Sequence, residues 1–165
     1  MDRGLSVRVL LAVGANPDPV WLQRAVTLLP AQTSELVLLH VVDVGPRHEW
    51  EQARGRFVAR APLRPEREAS LADAERERGV AVLARAEAIL SGADYRGAIR
   101  QRLVTGRPER EIVAAAATLG ADVIVLRARE GAGRAPAGPA SVGHVARFVV
   151  DHAPCPVLLL RGVTR

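Results

Sequence analysis

The residues best suited to chemistry lie between Val125 and His144. There the chain leaves an apolar run and reads Leu-Arg-Ala-Arg-Glu-Gly-Ala-Gly-Arg-Ala-Pro-Ala-Gly-Pro-Ala-Ser, ending at Ser141. Bare glycine backbones let N–H groups close on phosphate oxygens, and guanidinium forks bind such oxygens in pairs. Arg127, Arg129 and Arg134 could hold an anion by side chain, with Gly133 and Gly143 offering backbone. Ser141 to His144 open the last expected helix, whose free N–H groups and positive dipole end also favour an anion. Glu130 in the same string opposes one.

Other reactive side chains have plainer readings. His152 is eight residues from His144, not four, so the two cannot share the adjacent-turn geometry of a zinc pair. His144 reads as a partly exposed residue at a helix start, and His152 as a group at a helix C-terminus. His40 sits inside a strand and reads as a buried, hydrogen-bonded ring. Asp43 ends that strand, where it suits a ribose hydroxyl or a turn cap. Cys155 lies between two prolines with no base beside it and reads as a small buried residue. Ser141 lacks the Gly-x-Ser-x-Gly setting of a hydrolase elbow and reads as a helix cap. No nucleophile with its base and no metal cluster emerges, so no catalysis is expected. All 23 basic residues are Arg, which excludes a P-loop lysine and a lysine Schiff base.

The elements that must position these residues follow from hydrophobic patterning. Val7–Val13, Leu36–Val42, Ile99–Val104, Val123–Leu126 and Val157–Leu160 are short apolar runs and predict strands. Asp18 followed by Pro19 predicts a capped helix to about Leu29. Gly45 to Pro65 carries prolines and arginines without periodicity and predicts a long, partly mobile loop. Its arginines, with Trp50 and Phe57, suit either a solvated loop or a docking strip for an acidic partner or anionic lipid. Glu66 to Leu90 has the charge spacing of a long helix, and Gly79 is expected to weaken its first half. Gly106-Arg-Pro-Glu-Arg-Glu starts another helix, which Gly120 ends; Ser141 or a neighbour caps the last, which runs to His152.

Strand and helix alternate throughout. That order predicts an α/β fold: a doubly wound, parallel five-stranded sheet with helices on both faces. The 165 residues suit one domain, and 48% apolar content supplies a substantial core. Only five aromatics are present, so Val, Leu, Ile and Ala must build it. Pro156 suits an edge for the last strand, and an apolar edge invites a second copy of the chain. The net charge of +5 mildly favours anionic partners, but scarce aromatics argue against specific nucleic-acid binding. One cysteine suits a reducing cytoplasm, the N-terminus shows no signal-peptide pattern, and no run is long enough to span a membrane.

Four strings and the order of elements together resemble the universal stress protein family: the strings are Leu36-Val-Leu-Leu-His-Val-Val-Asp43, Gly106-Arg-Pro-Glu109, Gly120-Ala-Asp-Val-Ile-Val125 and His152-Ala-Pro-Cys-Pro-Val157. The resemblance covers nearly the whole chain and implies an adenine-nucleotide-binding-like fold, dimeric, in members that do or do not bind ATP. It implies that an Asp after the first strand contacts adenine; Gly14 stands there. It also implies a loop of Gly, two residues, Gly, nine residues, then Gly and Ser or Thr. Counted from the fourth strand, Arg127 and Glu130 take the first two glycines, and Ala140 precedes Ser141. Counted back from His152, Gly143 takes the third glycine and His144 the hydroxyl position.

The expected crevice thus comprises Gly14, Val41, Arg127, Arg129, Gly133, Ser141, Gly143 and His144. The expectation is a stress-response binding and regulatory module without a resident cofactor, not taking ATP in the family's usual manner. The alternatives are an ATP binder that uses Arg side chains in place of loop glycines, an adenylating enzyme, and a binder of a small apolar ligand. The partners expected are a second copy, through the C-terminal edge strand, and a protein partner that the sequence does not name.

Overall fold

A computed structural model of the chain describes residues 7–29, 33–43, 65–93, 95–128 and 142–162. The elements run β1 (Val7–Ala12), α1 (Pro19–Thr27), β2 (Thr33–Asp43), α2 (Pro65–Gly92), β3 (Ala98–Gly106), α3 (Pro108–Leu119), β4 (Val123–Arg127), α4 (His144–His152) and β5 (Val157–Leu160). The expected alternation is present. The segment from Gly45 to Arg64 lies outside the described residues.

The five strands form one parallel sheet in the order β3-β2-β1-β4-β5. β5 therefore lies at an edge, where Pro156 before it is tolerated. The chain moves outward from β1 in one direction and then in the other, so the sheet's switch point lies between β1 and β4.

Alternating side chains of each strand feed two cores. Val9 and Leu11 of β1, Leu36 and Leu38 of β2 and Val125 of β4 meet Trp21 and Leu22 of α1 and Leu83, Ala86 and Leu90 of α2. On the other face, Leu10, Val37, Leu39, Ile124 and Leu126 meet Ile112, Ala115 and Ala116 of α3 and Ala146 and Val149 of α4. Both faces are covered, so the central strands read as continuous apolar runs rather than alternating ones. Burying each of these leucines is worth about 2 kcal/mol.

Local signals set the helix ends. Asp18 caps α1: its Oδ1 accepts from the N–H groups of Val20 and Trp21, at 2.9 and 3.2 Å. Gly120 closes α3 in the left-handed region, φ 59° and ψ 48°, where glycine has no Cβ penalty. Other boundaries differ from the sequence reading. β3 runs past the expected Val104 to Gly106, while α3 begins at Pro108, the residue expected near its first position. α2 runs unbroken through Gly79. The reason is packing: a Cβ on Gly79 would stand 2.6 Å from Leu103 Cδ1 and 3.3 Å from His40 Cδ2. The bare backbone lets α2 settle onto β2 and β3, and that contact offsets the roughly 1 kcal/mol glycine penalty.

The far, N-terminal end of the sheet is closed by charge. Glu35 accepts from Arg8 at 2.5 Å and from Arg100 at 2.8 Å. Arg8 also donates to the Leu119 carbonyl, and its backbone N–H to Asp122 Oδ2 at 2.8 Å. This network ties β1, β2, β3 and the α3–β4 turn together, leaving the opposite end of the strands open.

Candidate functional site

At the carboxyl ends of β1, β2 and β4 the sheet opens into a cavity of about 790 Å³. Three strands stop there while the helices on either side continue, so the space lies at the switch point. Val13 and Gly14 leave β1 at one wall, and Val41, Val42 and Asp43 end β2 beside them. The α2 face contributes Gly79 and Val82, and α3 contributes Pro108 and Ile112. Leu126 and Arg127 end β4, with Val145 of α4 behind them. The floor is aliphatic. The charged groups on the wall are Asp43, Glu75, Arg78, Arg85 and Arg127.

Three of the expected site residues meet at this cavity: Gly14, Val41 and Arg127. Gly14 is exposed, and among the described residues a Cβ there would meet nothing within 4 Å. Packing therefore does not demand glycine at this position. Arg127 reaches back to α1, its Nη2 standing 3.2 Å from Asp18 Oδ2. A side chain read as an anion ligand is thus engaged by a carboxylate of the same chain. Asp18 was legible as a cap; its second role was not, because the pairing joins residues far apart in sequence.

Gly143 and His144 line a smaller adjoining recess of about 330 Å³ together with Arg127. Gly143 is the N-cap of α4, with φ 95° and ψ 159°, and makes no side-chain cap bond. Of the expected caps, Ser141 or a neighbour, the neighbour Gly143 takes the position, and backbone freedom, which glycine supplies, stands in place of a hydroxyl. His144 is the first residue of α4, its side chain 77% exposed and its Nε2 3.7 Å from Oε1 of the buried Glu109. Arg129, Arg134, Gly133 and Ser141 lie outside the described residues.

The remaining candidates separate from the cavity or join it differently. His40 lines it, is 9% exposed, and bonds through Nδ1 to the Val13 carbonyl at 2.8 Å. His152 ends α4, bonding Phe148 O through Nδ1 at 2.8 Å and stacking on that ring at 4.1 Å. Cys155 is half-buried, not buried as expected, because the 153–156 connection from α4 to β5 lies at the sheet's edge. Burial, and then the charge of Asp122, push its thiol above the ordinary range. Among the described residues no group of three or more His, Cys, Asp or Glu could hold a metal, and no helix is long and apolar enough to cross a membrane.

Arg78, Val82 and Arg85 on α2 were missed. They recur at positions i, i+4 and i+7, which places them on one helix face, but the sequence does not say that this face meets the crevice.

Residues 7–161 match the model of the universal stress protein family. The chain belongs to that family. Solved structures of universal stress proteins share the fold. UspA from Lactobacillus plantarum superposes with a TM-score of 0.66 at 21% identity, covering 94% of this chain and 97% of its own. The Archaeoglobus fulgidus universal stress protein in complex with dAMP gives 0.61 at 18% identity, covering 94% and 98%. An Arabidopsis thaliana universal stress protein family member with AMP bound gives 0.59 at 18% identity, covering 96% and 93%. No curated protein matches the sequence significantly. In this universal stress protein the crevice lies at the carboxyl end of the sheet, with Gly14 and Arg127 on its wall.

Proposed function

We propose that this universal stress protein is a stress-associated binding and regulatory module whose crevice does not take ATP in the family's usual manner. The observation that carries this reading is the Arg127–Asp18 pair at 3.2 Å. It puts side-chain bulk and a carboxylate beside the cavity, where a phosphate would need close backbone approach. Gly14 adds to it, because no acid stands at the end of β1 to accept from an adenine amine. The protein works by binding. One partner is a second copy joined through the edge strand β5, in the cytoplasm.

A second reading is favoured by the structural relatives that hold AMP and dAMP. In it, the same crevice takes ATP with Arg127 turned from Asp18 to the phosphates.

Calorimetry with ATP and magnesium separates the two. The proposal expects no saturable heat, and expects Gly14→Asp combined with Arg127→Gly to gain binding by at least about tenfold. Micromolar binding by the unaltered chain that Arg127→Ala weakens overturns the proposal in favour of the second reading.

A further inference from the structure

His40 offers the crevice a recognition group. Its Nδ1 stands 2.8 Å from the Val13 carbonyl. A carbonyl only accepts, so Nδ1 carries the proton, and in the neutral ring Nε2 keeps its lone pair. Among the described residues, no hydrogen bond reaches Nε2. Among the described residues, Trp21 Nε1 and Tyr95 Oη are sealed without partners, but His40 Nε2 is not. The ring is 9% exposed, and the space it lines is the large cavity. A buried acceptor thus opens on an aliphatic chamber made by Val13, Val41, Val42, Val82, Ile112 and Leu126.

The outer wall complements it. Arg78 and Arg85 are exposed on the α2 face that borders the cavity, and neither has an ion pair among the described residues. The acids on that rim, Asp43 and Glu75, have partners of their own. The site therefore presents one acceptor inside, apolar walls, and a modest positive charge at the mouth.

We propose that the crevice binds a small aromatic carboxylic acid bearing one N–H or O–H donor at the end remote from its carboxylate. This rests on the reading that the crevice does not take ATP. The donor meets His40 Nε2, the ring packs on the valines, and the carboxylate meets Arg78 and Arg85. A volume of about 790 Å³ suits such a molecule. A triphosphate fits poorly, since aliphatic walls cannot solvate several charges and Arg127 is already engaged.

The test is calorimetry on the full chain with two acids of similar shape: indole-3-propionate, which has an N–H, and 1-naphthalenepropionate, which has no such donor. The indole acid should bind saturably. The naphthalene acid should bind at least about tenfold more weakly, because it leaves Nε2 desolvated and unpaired. Nitrogen NMR should show the His40 Nε2 resonance moving with the indole acid alone. Arg78→Gln with Arg85→Gln should weaken both acids alike. Equal affinity for the two acids, or no binding of either, overturns the proposal without needing a variant at His40. A parallel ATP titration keeps the failures apart. Heat from ATP overturns the broader reading and this inference with it; silence from all three ligands overturns this inference alone.

Discussion

One carboxylate joins α1 to β4. Asp18 Oδ1 accepts from the backbone of Val20 and Trp21, while Oδ2 stands 3.2 Å from Arg127 Nη2. Asp18→Ala removes both roles and should cost about 1–2 kcal/mol, most of it from the cap. Asp18→Asn keeps a capping oxygen and loses the ion pair. It should cost less than about 1 kcal/mol, because both side chains are about a third exposed. Urea denaturation of the two variants checks the order; equal losses would show that the ion pair, not the cap, carries the energy.

Gly79 sets how closely α2 approaches the sheet. Gly79→Ala improves helix propensity by about 1 kcal/mol but drives a Cβ toward Leu103 Cδ1 and His40 Cδ2. Leu103 can turn its flexible end aside, so alanine should lie within about 1 kcal/mol of the unaltered chain. Gly79→Val adds bulk against a ring pinned by Val13 and should lose about 2–3 kcal/mol. Thermal melts of both variants decide it. A valine variant as stable as wild type would mean that the helix packs less tightly than the structure shows.

Among the described residues, the buried Tyr95 hydroxyl has no hydrogen-bond partner. Tyr95→Phe deletes an unsatisfied group and should leave stability unchanged or raise it by up to about 1 kcal/mol. Burial also holds the phenol above its ordinary range. A folded pKa above the unfolded one contributes stability below the unfolded value and loses it as pH rises through the folded value. Wild type should therefore weaken more than the Phe variant as pH climbs past about 10. Denaturation midpoints at neutral and alkaline pH measure the difference.

The free edge of β5 makes a fourth test. The carbonyls of Pro156 and Leu160 face β4, accepting from Ile124 and Ala128, so the backbone groups of Val157 and Leu159 point outward. A second copy pairing along this edge should give a dimer by light scattering at micromolar concentration. Leu159→Pro removes an outward N–H and should shift the mass toward monomer by at least about tenfold in dissociation constant. Circular dichroism confirms that the variant still folds. A wild-type monomer at every concentration would remove the edge as the partner surface.

Local chemistry made the framework of this universal stress protein readable before any coordinates. Apolar runs placed the five strands, Asp18-Pro19 and Gly120 marked helix ends, and Pro156 pointed to an edge strand, because each acts through neighbours within a turn or two. The absence of lysine bounded the chemistry just as directly. The rest needed the third dimension. That Arg127 is held by Asp18, that Gly79 lies against Leu103 and His40, and that His40 spends one nitrogen on Val13 while its ring lines a cavity all depend on how the elements pack. Packing brings distant residues within a few ångströms, and no local pattern encodes which ones will meet.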